Sequence, residues 1–135
     1  MDKIKAIYGP VKSWRLGNSL GIDPICNKKI CTFDCIYCQY GKTDKKTIKR
    51  KGFIDKNSLK TQLAYLKNKE IDNITFAGTG EPTLAKNLAQ LLELIKEKTT
   101  KPVAILTNSS LITNEDVRNT LMDFDKVLAK LDVAN

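Results

Sequence analysis

Apolar positions along this chain follow two periods that alternate. Leu59, Leu63 and Leu66 fall at i, i+4 and i+7, the spacing of one face of a helix. Asp55 and Asn57 offer N-caps just upstream, so the spacing predicts an amphipathic helix over residues 57–68. Residues 71–77 read as a strand, stopped by Gly78. Leu84, Leu88, Leu91, Leu92 and Ile95 again share one helical face, which predicts a helix over residues 84–98. Pro82 is tolerated near its start, where the missing N–H would lack a partner anyway. Lys101-Pro102 ends it, and residues 103–107 form the next strand. Thr113, with Asp116 three positions on, reads as a capping box for a short helix through about Leu121. Residues 126–133 are the last strand. Nearer the start, Gly9-Pro10 and Gly17-Asn18 mark turns. Residues 19–23 read as a short strand that leads into a cysteine-bearing loop, and the segment around Trp14 as a packed hairpin.

The resulting order is β-α-β-α-β-α-β, which predicts an α/β fold of parallel strands joined by right-handed crossovers. The 135 residues fit one domain, and no internal repeat or low-complexity tract interrupts them. Ligands of parallel α/β folds bind beyond the carboxyl ends of the strands. Four features fall at such ends: the cysteine loop, Gly78-Thr79-Gly80-Glu81-Pro82, Thr107-Asn108-Ser109-Ser110, and Lys130 with Asp132.

Composition narrows the chemistry. The chain is 41% hydrophobic and 28% charged, the balance of a soluble globular protein. No apolar run approaches the ~18 residues of a membrane span, and the first residues lack the apolar core of a signal peptide. The expectation is therefore a cytoplasmic protein with reduced thiols and no membrane partner. Four cysteines in that setting point to metal or cluster ligands before disulfides. The absence of histidine excludes a histidine general base and a mixed cysteine–histidine zinc site. A net charge of +8 favours polyanionic partners, nucleic acid first. Six of the ten residues from Lys42 to Lys51 are basic and one is acidic. That run reads either as a phosphate contact or as a solvated loop.

Cys31, Cys35 and Cys38 stand at x3 and x2 spacing with Tyr37 before the third. Three thiolates can hold three irons of a four-iron cluster and leave the fourth open, and thiolate is the usual ligand of such clusters. Cys26 lies five positions upstream, as a fourth ligand, a redox partner or a buried small hydrophobe. A four-cysteine zinc site is the competing use of the set, and a cluster that only transfers electrons is another. Neither accounts for the glycine segment at 78–82.

The pattern Cys-x3-Cys-x-Tyr-Cys resembles the signature of radical S-adenosylmethionine (SAM) enzymes. The resemblance implies a partial (β/α) barrel, of which this chain carries about four units. It implies that Cys31, Cys35 and Cys38 hold a [4Fe–4S] cluster whose open iron binds SAM through its amino and carboxylate groups. One electron then cleaves SAM to methionine and a 5′-deoxyadenosyl radical that abstracts hydrogen from a substrate. Gly78 and the segment Thr79-Gly80-Glu81-Pro82 match the family's SAM-amine motif, with Thr79 in place of its usual first glycine. Tyr37 is implied near the adenine, Asn108 and Ser109 near the ribose or carboxylate, and Lys130 facing the carboxylate. The glycines would let backbone approach the ligand, and Glu81 would accept from an ammonium.

A narrower resemblance runs from Gly9-Pro10-Val11 through Leu20-Gly21-Ile22-Asp23. It is similar to the start of Fe–S oxidoreductases grouped with the wyosine-base synthases that modify tRNA. Those proteins carry Pro-Ser-Arg-Arg where this chain has Lys12-Ser13-Trp14-Arg15. The implied partners are tRNA, a reductant protein of flavodoxin or ferredoxin type, and a C-terminal half or second copy that completes the barrel.

Overall fold

Strand sequences of the form Ser19-Leu20-Gly21-Ile22 and Asn73-Ile74-Thr75-Phe76 alternate small or polar residues with large apolar ones, and the sheet they build has two unlike faces. The computed structural model describes residues 6–13, 17–25, 30–31, 45–47, 49–63, 70–78 and 80–129. β1 (Ile7–Ser13) pairs antiparallel with β2 (Gly17–Ile22) as a hairpin, and β1 is the edge strand of the main sheet and not a cover packed over it. β3 (Ile30–Cys31) and β4 (Lys45–Lys46) make a separate two-stranded parallel ladder, with Cys31 opposite Lys46. The main sheet continues through β5 (Asn73–Phe76), β6 (Val103–Thr107) and β7 (Lys126–Ala129) in the order β1-β2-β5-β6-β7. All pairings after the hairpin are parallel. The α/β class stands, as a five-stranded, mostly parallel sheet.

Three helices make the crossovers: α1 (Lys56–Leu63), α2 (Leu88–Lys98) and α3 (Glu115–Leu121). Each crossover steps to the next strand in the same direction, so right-handed connections place the helices on one face. Leu20, Ile22, Ile74, Phe76, Val103 and Ile105 point to that face and share a buried cluster with Leu59, Leu88, Leu91, Ile95, Val117 and Leu121. Phe124 closes it edge-on against Phe76, with centroids 5.4 Å apart.

The opposite face carries Ser19, Gly21, Asn73 and Thr75. Asn73 Nδ2 donates to Ser19 Oγ (3.2 Å) and Thr75 Oγ1 (2.8 Å), and the two hydroxyls lie 2.5 Å apart. All three side chains are buried, so the network satisfies polar atoms that would otherwise be costly there. The Tyr8 ring packs against Gly21, where any Cβ would stand 2.1 Å from it. Tyr8 Oη donates to Ala77 O at the end of β5 (2.9 Å).

Two expected boundaries move. The helix expected over residues 84–98 divides. Pro82–Leu84 form a 3-10 turn, Ala85 turns extended (ψ 110°), and α2 begins at Leu88. α3 is capped by Asn114, not Thr113: Asn114 Oδ1 accepts from Val117 N (3.3 Å), which puts Asp116 one position too early for the box. At α1 the cap is as expected. Asp55 Oδ1 accepts from Ser58 N (2.6 Å), and this bond holds the Asp55 carboxyl below its usual range. The helix expected to reach residue 68 and the strand expected to reach 133 are seen as far as Leu63 and Ala129. Among the described residues no helix is long and apolar enough to cross a membrane.

Candidate functional site at the strand ends

The segment after β5 and the carboxyl end of β6 meet at one buried carboxylate. Glu81 follows β5 by five residues and caps the 3-10 turn. Its Oε2 accepts from Thr83 N (3.2 Å), from the Thr83 hydroxyl, and from Thr107 Oγ1 (2.6 Å). Its Oε1 accepts from Asn108 N (2.9 Å). Glu81 is only 3% exposed. Three protein donors converge on Oε2 and one on Oε1. The side chain expected to receive an ammonium is thus the pin that ties the glycine segment to the end of β6. An ammonium brought to this carboxylate would compete with four protein donors.

Thr107 also accepts from Ser109 N (3.1 Å), and Asn108 Oδ1 accepts from Ser110 N (3.0 Å). The second contact is an Asx turn. Ser109 sits at φ +66°, left-handed backbone that few residues other than glycine adopt. Asn108, Ser109 and Ser110 remain half-buried, beside the Glu81 turn. The loop follows β6 as the sequence predicts, and its hold by Glu81 on Thr107 and Asn108 is not visible in the sequence. A threonine closing a strand opposite a glutamate 26 residues away leaves no local signal.

Asp23 was also missed as a site residue. It is the first residue beyond β2, is buried, and its Oδ1 accepts from Ile25 N (3.0 Å). Its carboxylate packs on the Cα of Gly78: a Cβ there would lie 2.2 Å from the carboxyl carbon. Gly78 is therefore required by a protein neighbour, whatever ligand approaches it. Gly80 is half-buried and Pro82 fully buried at the start of the turn.

The basic run has a structural member. Arg50 Nε donates to Thr83 O (2.7 Å) and Arg50 Nη2 to Ala85 O (3.1 Å). Lys51 N donates to Leu84 O (3.0 Å), and Lys86 N returns a bond to Lys51 O (2.9 Å). Partial burial lowers the Arg50 pKa from its usual value, and the Asp116 charge opposes that shift. Lys51 lies over the Phe53 ring, 5.1 Å from its centroid.

Cys31 is placed by its backbone in β3, opposite the Lys46 of β4. Cys35, Cys38, Tyr37, Thr79 and Lys130 lie outside the described residues, as do Cys26, Trp14, Lys42 and Asp132. Among the described residues no three acidic, cysteine or histidine side chains converge as a metal site.

The radical SAM superfamily matches residues 28–133. A UPF0026 protein of Synechocystis is 47% identical over 127 residues, covering 94% of this chain and 48% of that protein. A UPF0026 protein of Methanocaldococcus jannaschii is 47% identical over 130 residues, covering 93% of this chain and 40% of its own length. A protein named GTPase Obg from Brachyspira hyodysenteriae is 46% identical over 135 residues, 98% of this chain and 20% of that protein. The chain thus spans half or less of the length of these relatives. No solved structure matches. The matched span takes in Cys31, Cys35, Cys38 and the Glu81 turn, and the chain belongs to the radical SAM superfamily.

Proposed function

We propose that this chain binds a [4Fe–4S] cluster and SAM for radical chemistry, as the corresponding part of a radical SAM enzyme. The observation that carries the reading is the Glu81 pin, which gathers the ends of β5 and β6 into one buried polar turn beside Asp23. The donor set fits the group: three closely spaced thiols for iron, no histidine to favour zinc, and a half-buried strand-end loop suited to a small zwitterionic nucleoside.

In this reading Cys31, Cys35 and Cys38 hold three irons. A bound cluster supplies the electron that cleaves SAM to methionine and a 5′-deoxyadenosyl radical. The protein's own part is orientation and exclusion of water. Gly78, Thr79, Gly80 and Pro82 present backbone to the amine end of SAM, and Glu81 fixes that backbone. Asn108 and Ser109 face its ribose or carboxylate, Lys130 its carboxylate and Tyr37 its adenine. A flavodoxin- or ferredoxin-type protein supplies the electron, and the polypeptide that extends beyond this span in the relatives completes the site. tRNA is the proposed substrate, on the strength of the +8 charge and the basic segment.

The test is anaerobic reconstitution with iron and sulfide, followed by absorption and electron paramagnetic resonance spectra with and without SAM. The expected result is a brown protein whose reduced-cluster signal SAM alters, with a log-linear loss of tRNA binding as salt rises. Zinc in place of iron and sulfide would overturn the reading in favour of a metal-binding module with a basic nucleic-acid surface.

A further inference from the structure

The Arg50 guanidinium spans two carbonyls of a turn whose other end is held by Glu81, and its own chain comes directly from the ladder that contains Cys31. Three consecutive carbonyls, those of Thr83, Leu84 and Ala85, are taken by Arg50 and Lys51. Four residues before Arg50, Lys46 pairs with Cys31, the first cysteine of the triad. The polypeptide from Lys46 to Lys51 is therefore a short tie between the root of the cysteine loop and the far end of the Glu81 turn. We infer that Arg50 is a positioning residue that sets the β3–β4 ladder, and with it the backbone of Cys31, against the Glu81 turn. The inference rests on the functional reading above, which assigns cluster and SAM to those two segments, and it goes beyond that reading by giving a role to a residue outside both.

The chemistry of the contact explains the residue type. A guanidinium is planar and offers several N–H donors in a fixed fork. It can hold Thr83 O and Ala85 O at once, at 2.7 and 3.1 Å. A lysine ammonium carries its three donors on one nitrogen at the end of a flexible stem, so it lacks the fixed fork that matches these two carbonyls. Charged donors give the stronger class of hydrogen bond, and partial burial of the guanidinium reduces competition from water. Arg50 thereby leaves the phosphate-contact reading of the basic run, while its exposed neighbour Lys49 stays within it.

The experiment compares wild type, Arg50→Lys and Arg50→Gln after anaerobic reconstitution. Iron and sulfide content, thermal unfolding, the SAM-induced change in the reduced-cluster signal and SAM affinity are read for each. The expected result is unchanged iron and sulfide content in all three. SAM affinity should fall about tenfold in Arg50→Gln and by less in Arg50→Lys, with an altered SAM-induced signal. Equal SAM affinity and signal in all three would overturn the inference. So would a loss of cluster and folding together, which would make Arg50 an ordinary stabilising contact. If wild type takes up no cluster, the functional reading fails by itself. Amide hydrogen exchange on the metal-free proteins then decides the clamp. Faster exchange at Leu84, Ala85 and Lys86 in Arg50→Gln, with β5 and α2 unchanged, upholds it, and unchanged exchange there refutes it.

Discussion

The two faces of the sheet solve opposite problems with the same strands. On one, Leu20, Ile22, Ile74, Phe76, Val103 and Ile105 meet three helices and exclude water. On the other, Ser19, Asn73 and Thr75 bond to one another, and Tyr8 covers Gly21. Strands buried in a parallel sheet usually read as continuous apolar runs. Here the alternation persists inside a parallel sheet, so one face is built for packing and the other keeps polar atoms in register. The faces are stabilised by different means, and substitutions should separate them.

The largest effect is expected on the packing face. Phe76→Ala removes a wholly buried ring and its edge-on contact with Phe124, and should lower unfolding free energy by roughly 3–5 kcal/mol. Urea denaturation measures it, and a loss below about 1 kcal/mol would mean that this face is loosely packed. The strand-end carboxylate comes next. Glu81→Gln keeps the shape but turns an acceptor into an amide donor that faces Thr83, Thr107 and Asn108. The expected loss is about 2 kcal/mol, read by the same denaturation, with faster exchange of the Asn108 amide. Retained stability would show that the pin is not fully formed. The smallest effect belongs to the polar face. Thr75→Val is nearly isosteric and deletes one member of the Ser19–Asn73–Thr75 network, for an expected loss of about 1 kcal/mol. A loss as large as that of Phe76→Ala would erase the distinction between the faces.

Much of this was legible in the sequence because it is local. The spacing of Leu88, Leu91, Leu92 and Ile95 sets the buried face of α2, and Asp55 caps α1 as its position implies. The helix boundary at residue 84 failed for a non-local reason. Arg50 and Lys51, more than 30 residues away, bond the carbonyls of Thr83, Leu84 and Ala85 and hold the turn apart from α2. The capping box at Thr113 failed by a single residue because Asn114, the stronger N-cap, competes for the same turn. The glycine segment was recognisable as a turn at a strand end, but its supports were not. Thr107 and Asp23 act only through partners brought together by the sheet. The alternation in residues 19–22 and 73–76 was visible as well, and the polar face follows from it once the strands are known to be parallel.

Several of the bonds that shape the strand-end turn join distant parts of the chain. Glu81 reaches Thr107 and Asn108 across 26 and 27 residues, and Arg50 reaches Thr83 and Ala85 across 33 and 35. Contacts of such separation form only after the entropy of closing the intervening loops has been met. The turn therefore takes shape late in folding, once β5, α2 and β6 have docked. A nascent chain displays its cysteines, near residue 31, well before residue 107 has been synthesised.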